Sequence, residues 1–93
     1  MKLVGKFEPS AGMLLPEIDY TNSEFIVNQE YSNLSLDEPF IVVDLYSDGE
    51  LVAERVLVTT LWDYNKNEDD DVIKLCLIKM KSDNMLDDMV ISD

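Results

Sequence analysis

Phe40-Ile41-Val42-Val43-Asp44-Leu45-Tyr46-Ser47-Asp48-Gly49-Glu50-Leu51-Val52-Ala53-Glu54-Arg55-Val56-Leu57-Val58 is the stretch whose reading decides the fold. Two β-branched runs flank Asp48-Gly49, a dipeptide that tolerates the positive φ angles of a two-residue hairpin turn. With those two as the loop, Ser47 faces Glu50. The pairing then runs Tyr46 with Leu51, Leu45 with Val52, Asp44 with Ala53 and Val43 with Glu54. One face carries Ile41, Val43, Leu45, Val52, Val56 and Val58. The other carries Phe40, Val42, Tyr46, Leu51, Ala53 and Leu57, with Asp44 and Arg55 as diagonal neighbours close enough to interact. A hairpin with one wet face alternates apolar and polar residues. This one is apolar on both faces, which predicts a central hairpin, covered by the core on one side and by the N-terminal segment or a partner on the other.

Outward from the hairpin the signals weaken. Residues 2 to 7 read as a short first strand. Residues 8 to 38 hold one or two short strands, around Met13-Leu14-Leu15 and Phe25-Ile26-Val27, in a loop-rich segment. Pro9, Pro16 and Pro39 mark edges or strand entrances. Residues 72 to 81 read as a further strand, with Ile73, Leu75 and Leu77 on one side and Cys76, Ile78 and Met80 on the other. Lys79 and Lys81 there suit an edge that resists further pairing. The tail 82 to 90 fits a short C-terminal helix capped by Ser82 or Asp83, with Met85, Leu86 and Met89 on one face. There is no internal repeat and no linker. The expectation is a single small acidic domain over 1–93, mostly β with β-rich α+β as the neighbouring class. It is a small antiparallel sheet built around the hairpin at 40–58 and a strand at 72–81.

Composition sets the chemistry. The 93 residues carry 20 Asp and Glu against 7 Lys and Arg, a formal charge of −13, with no His and one Cys. A His-based triad and any imidazole metal site are excluded. One cysteine forms no intrachain disulfide. Phosphate neutralisation, the main driving force of nucleic-acid binding, is not available to so acidic a chain, so no direct nucleic-acid contact is expected. Lys6 and Glu8 interrupt any leader core, and no apolar run approaches the ~20 residues that span a bilayer. The expected location is a reducing cytoplasm (the host's, if a phage encodes the chain), with no membrane contact. Asn33-Leu34-Ser35 matches a glycosylation sequon, which counts for nothing without a secretory signal.

Specific sites are few. Asp63-Tyr64-Asn65-Lys66-Asn67-Glu68-Asp69, continued by Asp71, resembles the start of a calcium-binding EF-hand loop. Position 6, which needs Gly, is Glu68; position 12, which needs Glu, is Lys74; the flanks read as strand. A solvated acidic turn is the better reading. Twenty carboxylates make some close pair inevitable, so a pair says nothing about acid–base catalysis. Cys76 has no His to activate it and reads as packing. The three glycines, Gly5, Gly12 and Gly49, are too scattered for a phosphate loop. No enzyme activity, cofactor or metal is expected.

The acidic surface remains. Solubility needs a net charge of magnitude ~2 to 8 in a small domain, which −13 exceeds. Carboxylates on a rigid sheet can imitate duplex phosphates and be steered onto a basic groove. By size and surface the chain resembles inhibitors of nucleic-acid enzymes, such as phage anti-defence or anti-CRISPR proteins, and immunity proteins that neutralise nuclease toxins; no family motif carries that likeness. The expected partner is a basic nucleic-acid-binding protein or nuclease, bound by a monomer or homodimer. The expected contact residues are Asp48, Glu50 and Glu54 on the hairpin, Glu68, Asp69, Asp70 and Asp71 in the loop, and Trp62 or Tyr64 as apolar anchor. A structural or assembly protein using the second apolar sheet face is the competing expectation.

Overall fold

The computed structural model describes residues 1–8, 19–35, 37–62 and 71–93. Five strands, β1 (Lys2–Gly5), β2 (Ser23–Val27), β3 (Phe40–Ser47), β4 (Glu50–Thr60) and β5 (Met89–Ser92), form one antiparallel sheet in the order β4-β3-β2-β1-β5. Helix α1 (Val72–Asp83) carries the chain from one edge of the sheet to the other. The architecture is a small antiparallel sheet with a short C-terminal helix, mostly β with some α+β character.

The inward sheet face is read off the register. Leu3 pairs with Phe25, Phe25 with Leu45, and Leu3 also with Ile91, so one apolar row crosses four strands. Leu3, Phe25, Ile41, Val43 and Leu45 are buried beneath Cys76, Leu77 and Met80 of α1 and Met89 of β5. Phe7 closes the core at one end, edge-on to Phe25 at 5.0 Å and to Tyr20 at 5.9 Å between ring centroids. Such edge-to-face pairs contribute about 1 kcal/mol beyond burial.

The hairpin forms where the sequence places it, with Ser47 opposite Glu50 and Tyr46 opposite Leu51. Two expectations about it are corrected. It lies at the sheet's edge, not its centre, because β4 pairs with β3 alone among the described strands. Its register also slips: Leu45 meets Ala53 rather than Val52, and Val43 meets Leu57 rather than Glu54. The extra residues on β4 are bulged, and Arg55 sits at φ 52° to absorb them. Val52 and Val56 pack against the core with Val43 and Leu45 as expected, Leu57 joins them from the face assigned to Phe40 and Val42, and Val58 turns out to 58% exposure. Cover for the second face comes partly from the chain itself. Asn28 N–H donates to the Val42 carbonyl at 2.8 Å, Ser32 Oγ accepts from Val42 N–H at 2.9 Å, and Val42 is buried.

The strand expected over 72–81 is helix. Asp71 caps it, its carboxylate accepting from Lys74 N–H at 3.1 Å. Val72, Cys76 and Met80, spaced by four, form with Leu77 the buried stripe. The short helix expected over 82–90 is replaced by a turn, with Met85 at φ 51° and 82% exposed, and then by β5. Pro39 is buried at the entrance to β3, and its carbonyl accepts from Leu61 N–H at 2.9 Å. Strand reading at Phe25-Ile26-Val27 is met by β2; Met13-Leu14-Leu15, Pro9 and Pro16 lie outside the described residues.

Candidate functional site

The register defines two ends of the sheet. At the turn end, Gly5, Ser23, Ser47, Glu50 and Met89 stand in one row across all five strands. At the far end lie Lys2, Phe40, Thr60 and Ser92, with Lys79 of α1 donating from Nζ to the Thr60 carbonyl at 2.7 Å.

The exposed carboxylates of Asp19, Asp48, Glu50, Asp87 and Asp88 collect at the turn end. Local chemistry fixes several of them. Asp48 takes φ 51° in the hairpin turn, Gly49 takes φ 82°, and Asp48 N–H donates to the Asn22 carbonyl at 3.1 Å. Asn22 Nδ2 donates in turn to Asp48 Oδ1 at 3.3 Å, tying the β1–β2 connection to the β3–β4 turn. Asp19 accepts from Thr21 Oγ1 at 2.7 Å and Thr21 N–H at 2.9 Å. Those bonds favour its ionised form and hold its pKa below the ordinary 3.8. Lys6 is paired with Glu8 at 3.3 Å, and both border a shallow cleft with Asp87 and Asp88. Adjacent strands lie ~4.8 Å apart, so five strands spread these charges over about 19 Å.

The residues expected to form one contact surface are not brought together. Asp48 and Glu50 are at the turn end. Trp62 follows the far end of β4, 57% exposed, its Nε1 donating to the Glu38 carbonyl at 3.2 Å. The eight residues of β3 separate the two places by about 23 Å. Glu54 is exposed midway, beside the bulge. Asp71 is occupied as the cap of α1. Tyr64, Glu68, Asp69 and Asp70 lie outside the described residues. The reading of the chain after that loop as strand is corrected by α1, which leaves Glu68 and Lys74 as the grounds against an EF-hand. Among the described residues no group of three or more Cys, Asp or Glu is arranged to hold a metal ion.

Sequence reasoning missed Asp19 and gave Asp87 and Asp88 no part in the site. The register that gathers them depends on β5, which the sequence reading placed in a helix. Met80 and Met89 are fully buried and Met85 is exposed. Cys76 is also fully buried, and burial pushes its thiol up to about 11 against an opposing pull from Lys79. Such a thiol is a poor nucleophile at neutral pH.

The open face of the sheet carries Val4, Ile26, Tyr46, Leu51, Val58 and Val90, with the Lys2–Glu24 ion pair among them. A groove of about 400 Å³ lies along the β5 edge, lined by Ile78, Lys81, Ser82, Asp87, Val90 and Ile91. The chain matches no protein family, and no curated protein and no solved structure shows significant similarity to it.

Proposed function

We propose that this chain is a non-enzymatic acidic binding protein that inhibits a nucleic-acid-processing enzyme by occupying its basic groove. The observation that supports this reading best is the turn end of the sheet. Five exposed carboxylates stand there across the width of the sheet, with Lys6 held by Glu8 and Lys81 set back in the groove by α1. Duplex DNA offers a basic groove one charge per ~1.7 Å of axis. A rigid carboxylate row about 19 Å long presents a sparser version of the same field without the cost of ordering a flexible tail. Charge of this kind raises association rates and selects basic partners. An anti-defence inhibitor and an immunity protein for a nuclease toxin both act in this way, and the identity of the captured enzyme separates them.

A second reading is favoured by the open sheet face, whose Leu51, Val58 and Val90 are 47%, 58% and 58% exposed. An assembly protein would bury that face, and its acidity would serve solubility.

Capture from host lysate at ~50 mM and ~500 mM salt tests both, because screening falls from above ~10 Å to a few Å between them. The inhibitor reading expects a basic nucleic-acid enzyme, bound at low salt and displaced by DNA or RNA. Binding that strengthens with salt, or that retains only copies of the chain, refutes it.

A further inference from the structure

We infer that the β5 edge is a docking site for an extended segment of a basic protein, which adds to the sheet as a sixth strand and sets apolar side chains into the groove beside α1. The two edges of the sheet differ in how they meet other chains. Along β4 the ladder is broken by the bulge at Arg55 and flanked by exposed Glu50 and Glu54, devices that discourage pairing. Strand β5 reads Met89-Val90-Ile91-Ser92, with no charge, proline or bulge, and among the described residues it pairs only with β1. Its outer edge runs beside the groove lined by Ile78, Val90 and Ile91, of which Ile78 is 47% exposed. An added strand gains main-chain hydrogen bonds from such an edge and specificity from the side-chain groove.

Charge selects the occupant. Asp87 and Asp88 precede β5 and Asp93 follows it, all exposed, so the strand is bracketed by carboxylates. Lys81 lies in the last turn of α1, at the helix's negative end. A second copy of this chain pairing antiparallel through β5 would set Asp93 against the other copy's Asp87 and Asp88, like charges opposed across the ladder. An apolar segment with Lys or Arg at both ends meets opposite charge at both ends. The inference rests on the proposed function only for the basic character of the partner. The edge and its groove are independent of it.

The test uses the full chain, labelled for amide NMR, and two synthetic peptides. One has a valine- and isoleucine-rich centre with two lysines at each end; the other has glutamates in place of the lysines. The lysine peptide is expected to shift the Val90, Ile91 and Ser92 amides, and Ile78→Lys, at an exposed position, to weaken it by about tenfold. Shifts confined to the Asp48 and Glu50 amides at the hairpin turn, equal binding of the glutamate peptide, or dimerisation through β5 in sedimentation each overturn the inference. Enzyme inhibition that persists in Ile78→Lys leaves the proposed function standing while this site falls. Peptide binding without any captured enzyme does the reverse.

Discussion

The backbone N–H of Arg55 donates to Oδ1 of Asp44 at 2.8 Å, across the break in the β3–β4 ladder. Asp44 Oδ2 accepts from Asn28 Nδ2 at 3.2 Å, so one carboxylate holds both the bulge and the segment that leaves β2. The Arg55 guanidinium then reaches over the Tyr31 ring, 4.6 Å from its centroid. The left-handed backbone at Arg55 costs roughly 1 to 2 kcal/mol in a non-glycine residue. Asp44→Ala is expected to lose about 1 to 3 kcal/mol of stability, read from urea unfolding, because it frees two donors at once. Arg55→Gly should be more stable than Arg55→Ala by about 1 kcal/mol, since both lose the ring contact and only glycine relieves the backbone. Equal stability of the two would mean that the bulge is not strained.

Gly5 and Gly49 both have positive φ, 142° and 82°, yet they differ in what surrounds them. A Cβ at Gly5 would lie 2.5 Å from the Asp88 carbonyl oxygen and 3.1 Å from the Met89 Cα, both backbone atoms. A Cβ at Gly49 would meet nothing within 4 Å. Gly5→Ala is therefore expected to cost about 3 kcal/mol or more, by pushing β5 off β1. Gly49→Ala should cost about 1 kcal/mol, from backbone conformation alone. Thermal unfolding of the two variants checks the order, and a reversal would place the strain in the turn instead of at the β1–β5 junction.

These same elements show what the sequence disclosed. The hairpin turn and the inward residues Ile41, Val43 and Leu45 were legible because period-two burial and Asp48-Gly49 agree. The slip beyond Leu51 was not, since a bulge is set by twist and by the Asp44 cap, neither of which alters residue type. Residues 72 to 81 were misread because Val72, Ile73 and Leu75 imitate a strand. The helix was written there as Asp71 at the cap position and apolar residues at 72, 76 and 80, a spacing of four. Losing the helix also hid β5, and with it the placing of Asp87 and Asp88 at the same end of the sheet as Asp48. The carboxylates of the candidate site were legible as a charge excess, and their common position was not.

Cys76 gives a pH dependence with a definite sign. Burial raises its thiol from an ordinary 9.0 to about 11 in the folded chain. Between those values the unfolded chain has lost a proton that the native chain keeps, so stability falls as pH rises. The contribution is fully present below about pH 9 and is gone above about pH 11. Cys76→Ala removes this component, so its unfolding midpoint should fall less steeply over that range. A thiol reagent should modify Cys76 slowly in the native chain and rapidly in denaturant. Parallel pH profiles for the parent and Cys76→Ala would show that the thiol is not the group that titrates.

The two ends of the hairpin are separable by substitution. Asp48→Asn with Glu50→Gln removes two turn-end charges while keeping chemistry that the turn accepts. Asparagine tolerates the φ of 51° at position 48, and its side chain can still accept from Asn22. Charge at a contact rim acts mainly on the association rate, whereas a buried aromatic anchor acts on dissociation. Against the captured enzyme, the double variant should associate about tenfold more slowly at low salt and show a shallower salt dependence. Trp62→Ala, about 23 Å away along β3, should leave that rate unchanged. Faster dissociation of Trp62→Ala would mean that the partner spans the length of the hairpin and takes Trp62 as its anchor. An unchanged association rate in the double variant would remove the turn end from the contact, and with it the electrostatic basis for inhibition.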